Sequence, residues 1–126
     1  MDWQFRNDLP IYSQLLEQIK LAIVSGKFLP GERLPSVRDM AMEAGVNPNT
    51  MQRALQELER EGLVYSQRTA GRFVTDECAL IDMAKKQLAA QHMRVFAEAM
   101  SGLGYAMKDI SDMFEEYAKE ENNGDS

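Results

Sequence analysis

A chain of 126 residues, 44% hydrophobic and 27% charged, has room for one real core plus an appendage and the composition of an ordinary soluble domain. It has no apolar run near the roughly 20 residues that span a bilayer and no signal-peptide layout in MDWQFRNDLP, and its one cysteine, Cys78, rules out an internal disulfide, so the expectation is a cytoplasmic protein without a membrane partner. The net charge of −6 argues against nucleic acid until it is divided: residues 1–75 hold nine Lys/Arg against nine Asp/Glu, and residues 76–126 hold five against eleven.

Residues 2–7 read as an extended lead-in whose Trp3 and Phe5 pack inward. From Pro10, Ile11, Leu15, Leu16, Ile19, Ala22 and Ile23 make one helical stripe, closed by Gly26. KFLPGERLP follows as a turn-rich connection broken by Pro30, Gly31 and Pro35. Ser36 opens a two-turn helix, with Asp39 as an acidic variant of the capping box and Val37, Met40, Ala41 and Ala44 facing inward. Gly45 ends it, and a tight turn leads to a helix capped by Asn47 and started by Pro48. That spacing is a helix-turn-helix.

The second of these helices has two faces. Val46, Met51, Ala54, Leu55 and Leu58 form the apolar one; Pro48, Asn49, Gln52, Arg53 and Gln56 form the other. Amides and a guanidinium at a helix N-terminus suit base edges and phosphates, because an amide pairs bidentately with adenine and the helix end attracts anions. After Gly62, Leu63–Tyr65 and Phe73–Thr75 read as strands of a hairpin, a wing. Arg68 and Arg72 flank its tip around Gly71, positioned for phosphate or the minor groove.

From Asp76 a long helical stripe runs through Leu80, Ala84, Leu88, Val95, Phe96, Ala99 and Leu103, interrupted at Gln91 and His92 and ended by Gly102 and Gly104. A last amphipathic helix over residues 106–119 carries Ile110, Met113, Phe114 and Tyr117, and residues 122–126 read as a disordered tail. Two helices cannot bury these stripes alone, so they are expected to pair with a second subunit. His92 reads as a half-buried helix residue, Cys78 as a semi-buried thiol, and the acidic run from Asp109 to Glu121 as a solvated face. No nucleophile-base set, phosphate-binding glycine loop or metal-ligand spacing is present, so no catalytic residue, metal or cofactor is assigned.

The stretch from Pro10 to Val74, and within it LPSVR, GVNPNT, EGLV and GRFV, resembles the winged helix-turn-helix domain of GntR-type bacterial transcriptional regulators. The short helical C-terminal part resembles the YtrA-like subfamily, whose members dimerise through it and are often associated with ABC-transporter operons. The resemblance implies a mainly α fold with a β-hairpin wing. It places an arginine on DNA at Arg38, base or backbone contacts at Asn49, Thr50 and Gln52, and the wing tip at Arg68, Gly71 and Arg72. Two residues depart from the pattern. Pro48 stands where many relatives carry an arginine, which removes a guanine contact, and Thr69 replaces the usual first wing glycine.

The expected organisation is a DNA-binding domain over residues 1–75, a dimerisation segment over 76–121 and the tail. The candidate DNA contacts are Ser36, Arg38, Asn47, Asn49, Thr50, Gln52, Arg53, Arg68, Thr69, Gly71 and Arg72. Ser36 would offer its helix end to a phosphate, and Arg38 and Arg53 would otherwise be surface charges paired with Asp39, Glu43 or Glu57. The dimerisation candidates are Leu80, Ala84, Leu88, Val95, Phe96, Ala99, Ile110, Met113, Phe114 and Tyr117. The expected activity is that of a homodimeric repressor on an inverted-repeat operator in double-stranded DNA. A protein-interaction module without specific DNA binding is the alternative. About 50 residues after the wing leave no room for an enclosed effector pocket of roughly 300 Å³ within one subunit, so any small-molecule effector is unassigned.

Overall fold

The computed structural model describes residues 1–124. The chain forms two compact units, Met1–Lys86 and a second that begins at Gln87. The expected boundary at Thr75 coincides with the end of the hairpin, whereas the units part eleven residues later, inside a helix.

The first unit contains α1 (Ile11–Val24), α2 (Val37–Ala44), α3 (Pro48–Arg60), β1 (Val64–Gln67) and β2 (Gly71–Val74). Helix α3 is its centre, because both α1 and α2 pack on it. Leu15, Ile19 and Ile23 of α1, Met40 and Ala41 of α2, and Met51, Ala54, Leu55 and Leu58 of α3 form a continuous core, closed by Leu63, Val64 and Val74 of the hairpin. The helix ends follow the side chains available. Ser36 Oγ accepts the Asp39 N–H at 3.1 Å, and Asn47 Oδ1 accepts the Asn49 N–H at 2.8 Å. Between them Gly45 turns the chain with a left-handed backbone (φ 71°) that a side chain would strain, and the Val46 N–H returns to the Ala41 carbonyl at 3.0 Å.

The hairpin is antiparallel, pairing Val64 with Val74, Tyr65 with Phe73, Ser66 with Arg72 and Gln67 with Gly71. The segment before α2, expected only as a connection, lies along the other edge of β2. Leu34 N–H donates to the Arg72 carbonyl at 2.8 Å, Val74 N–H to the Glu32 carbonyl at 2.8 Å, and Arg33 forms a bridge with Phe73. Its prolines do not prevent this, because the bonding groups belong to the residues between Pro30 and Pro35. Trp3 and Phe5 of the lead-in stack at 6.3 Å and pack on the core, as their alternation suggests. Buried Gln14 holds this lead-in by accepting the Arg6 N–H at 2.7 Å and donating to the Arg6 carbonyl at 2.9 Å.

Helix α4 (Cys78–Gly102) begins in the first unit, where Ile81 and Ala84 pack on the core and Leu80 lies against Gly62. The stripe expected to serve dimerisation as a whole is therefore divided: Leu80 and Ala84 are used within the chain. A periodic stripe shows that a face is covered, but not by what. The helix also continues through Gln91 and His92, where the stripe is interrupted. In the second unit α4 is joined by α5 (Met107–Gly124). Phe96 and Phe114 meet edge to face at 6.0 Å, and Ile110 is the buried apolar residue of this unit among those described. Most of the expected dimerisation stripe stays open: Val95 is 63% exposed, Phe114 54% and Tyr117 57%, with Met113 and Ala99 exposed and Leu88 half-buried. Phe96, Met93, Met107 and Phe114 line an open apolar groove of about 790 Å³.

Three expectations change in detail. Cys78 and His92 are exposed, not half-buried. Helix α5 runs to Gly124, so Asn122 to Gly124 are helical where a disordered tail was expected, and residues 125–126 of that tail lie outside the described residues. Among the described residues no helix is long and apolar enough to cross a membrane.

Candidate nucleic-acid interface

The polar face of α3 is the face its core does not use. Met51, Ala54, Leu55 and Leu58 point into the core, which leaves the N-terminal turn with Pro48 and Asn49 exposed and Thr50 and Gln52 half-buried. Asn47 is committed to the cap through its oxygen, as Ser36 is through its hydroxyl. Both candidates therefore act structurally before they can touch a ligand. What the caps leave available are the exposed helix starts themselves, whose free N–H groups favour anions.

Three exposed arginines of the same unit have no carboxylate partner among the described residues. Arg38 stands exposed on α2, Arg68 is exposed in the loop joining β1 to β2, and Arg33 lies beside that hairpin. The described side-chain cations that do form ion pairs are Arg6, Lys20, Arg60, Arg72, Lys86 and Lys119. Arg38 thus forms no ion pair with Asp39 or Glu43 among the described residues. Arg53 is held differently, its guanidinium 4.6 Å above the Tyr12 ring of α1. The acid it was expected to meet, Glu57, is engaged by Arg60, whose guanidinium holds that carboxyl below its usual range; the same hydrogen bond raises Arg60.

The wing divides the residues expected at its tip. Arg68 and Thr69 are exposed in the loop. Gly71 opens β2 with φ 105°, and a Cβ built there would stand 3.1 Å from Arg33 Nε, so the missing side chain gives the Arg33 guanidinium its place. Arg72 is not at the tip. It stands on β2, only 17% exposed and tied to α3, with Nε 3.0 Å from Glu59 Oε1 and Nη1 3.2 Å from Gln52 Oε1. Sequence reading missed Arg33 altogether. The available clue was a lone basic residue between two chain-breaking elements, and only the pairing of its segment with β2 brings it to the wing.

Comparison with known proteins identifies the family and the fold. The family described as "Bacterial regulatory proteins, gntR family" matches residues 11–74. The HTH-type transcriptional regulator YhcF of Bacillus subtilis is 39% identical over 87% of this chain and 91% of its own length. The HTH-type transcriptional repressor YtrA of the same organism is 36% identical over 78% of this chain and 71% of its own. Among solved structures, a GntR family transcriptional regulator from Listeria monocytogenes superposes with a TM-score of 0.81 at 34% identity, covering 89% of this chain and 98% of that one. The DNA-binding domain of AraR in complex with operator ORX1 superposes with a TM-score of 0.54 at 31% identity, over 60% of this chain and 96% of that one.

Proposed function

The chain belongs to the GntR family of bacterial transcriptional regulators and has a winged-helix DNA-binding fold; from that premise we propose that it is a repressor that binds an inverted-repeat operator as a homodimer. The observation that carries the reading is the polar N-terminal turn of α3, with Asn49 exposed and Gln52 half-buried, on a domain whose Arg33, Arg38 and Arg68 are exposed and form no ion pair among the described residues. Helix α3 enters the major groove. Asn49 and Gln52 read base edges, Thr50 and the capped starts of α2 and α3 meet phosphates, and Arg38 and Arg68 bind the backbone on either side. With Pro48 in place of an arginine, the amides carry most of the base discrimination.

The second unit supports the homodimer. An α-helical pair that leaves Val95, Phe114 and Tyr117 more than half exposed gains most by covering them with the same surface of a second copy, a two-fold arrangement. Two α3 helices related by that axis would read half-sites about one turn, roughly 10 bp, apart. Repression follows if the dimer occupies promoter DNA, and the similarity to the YtrA repressor supports that sign of control.

A titration of selected and scrambled duplexes at several salt concentrations tests the reading. Several neutralised phosphates give a steep negative slope of log affinity against log salt, and the selected duplex binds by at least about a thousandfold more tightly. Equal affinities, or a flat slope, would overturn it.

A further inference from the structure

Glu59 follows Gln52 by two turns on α3, so both side chains lie on one face roughly 10 Å apart along the axis. Arg72 bridges them from β2, with Nε on Glu59 and Nη1 on Gln52. Its cross-strand partner Ser66 also donates to Glu59, so both members of one hairpin pair converge on the same carboxylate. We propose that Arg72 is a positioning residue that sets the orientation of the Gln52 amide for base reading. The inference rests on the reading of Gln52 as a base contact and assigns to Arg72 a role different from that of a phosphate clamp.

The chemistry of the donors gives the direction. A guanidinium only donates, so the atom of Gln52 that faces Arg72 is the carbonyl oxygen and the amide cannot flip without losing the bond. The carbonyl keeps a second lone pair, and Gln52 Nε2 has no partner among the described residues. The edge left over is acceptor beside donor, the complement of adenine N6–H and N7 in the major groove. Arg72 itself is already neutralised by Glu59, with 17% and 28% of the two side chains exposed, and a phosphate would have to compete with that carboxylate. Arg68, exposed and without an ion-pair partner among the described residues, has no such competitor there.

The full-length chain, Gln52→Ala, Arg72→Ala and Arg72→Lys are each used to select duplexes from one randomised library. Affinities for the wild-type consensus are then measured across salt. A positioning role requires that Arg72→Ala lose base preference at the position lost by Gln52→Ala, by at least about fivefold, and leave the salt slope unchanged. The double variant then discriminates no worse than Gln52→Ala alone. Arg72→Lys keeps the charge but not the two-armed reach, so it reproduces the loss of preference; it also supplies the reading should Arg72→Ala fail to fold. A phosphate contact gives the opposite pattern: uniform weakening on all sequences, a slope shallower by about 1, and rescue by lysine. That result overturns the proposal while leaving specific binding intact. Selection of no consensus by the wild-type chain overturns the reading beneath it as well.

Discussion

The two units solve the problem of burying apolar surface in opposite ways. The first places Leu15, Ile19, Met51, Leu55 and Leu58 at zero exposure around α3 and needs nothing further for its core. The second has a single described apolar residue, Ile110, below the surface and leaves its aromatics open. Both are built from amphipathic helices, so the difference lies in the number of neighbours each helix finds within the chain. A helix with two partner helices and a hairpin completes its burial internally; one with a single partner leaves much of its apolar face open.

That contrast can be broken or sharpened by substitution. The largest effect belongs to Leu55→Ala or Leu58→Ala, which should cost about 2–5 kcal/mol of folding stability by leaving a cavity in a fully closed core, read by chemical denaturation. If either is neutral, the first unit is not the self-sufficient body described. The matching change in the second unit, Phe114→Ala, should weaken self-association by about thirtyfold or more in sedimentation, at the scale of an interface hot spot. Its effect on the local unfolding of residues 10–74, followed by hydrogen exchange, should be small. A loss of exchange protection there as large as that from Leu55→Ala would erase the distinction between the units.

Smaller effects separate the polar groups within the first unit. Asn49→Ala or Gln52→Ala should lower discrimination at one base pair by about 1–3 kcal/mol, seen in competition binding. Arg38→Ala and Arg68→Ala should each reduce affinity for every sequence and make the salt slope shallower by about 1. The smallest effect is that of Glu57→Gln. Arg60 lowers the Glu57 pKa in the folded state, so the contribution of the carboxylate is present above its ordinary value near 4.3 and disappears as the pH falls through the depressed one. The small difference in Tm between wild type and variant at pH 7 should therefore shrink as the pH is lowered through the carboxylate range, and a difference that grows in acid would reverse the assigned cause.

Helix boundaries were legible because caps and breakers act locally. Ser36, Gly45, Asn47 and Pro48 each impose a backbone geometry that depends on few neighbours, and all four stand where their chemistry predicts. The face of α3 was legible for the same reason. Tertiary pairing was not. Arg33 reaches the wing only because residues 31–34 join β2, and Arg72 turns from tip contact to internal brace because its register sets it opposite Ser66 and within reach of Glu59. Leu80 and Ala84 illustrate the same limit: their periodicity is sound, but their partner is the core of their own unit.

The central proposal, a homodimer whose two copies of α3 read an inverted repeat, is tested most directly by a spacing series. Inverted-repeat duplexes identical in their half-sites, with 0, 5 or 10 bp inserted between them, are titrated with the full-length protein. Affinity should be highest at about one turn between centres, fall at least about tenfold when 5 bp turn the half-sites to opposite faces of the duplex, and recover no more than in part at 10 bp. Equal affinity across the series, with one chain bound per half-site independently, would contradict it.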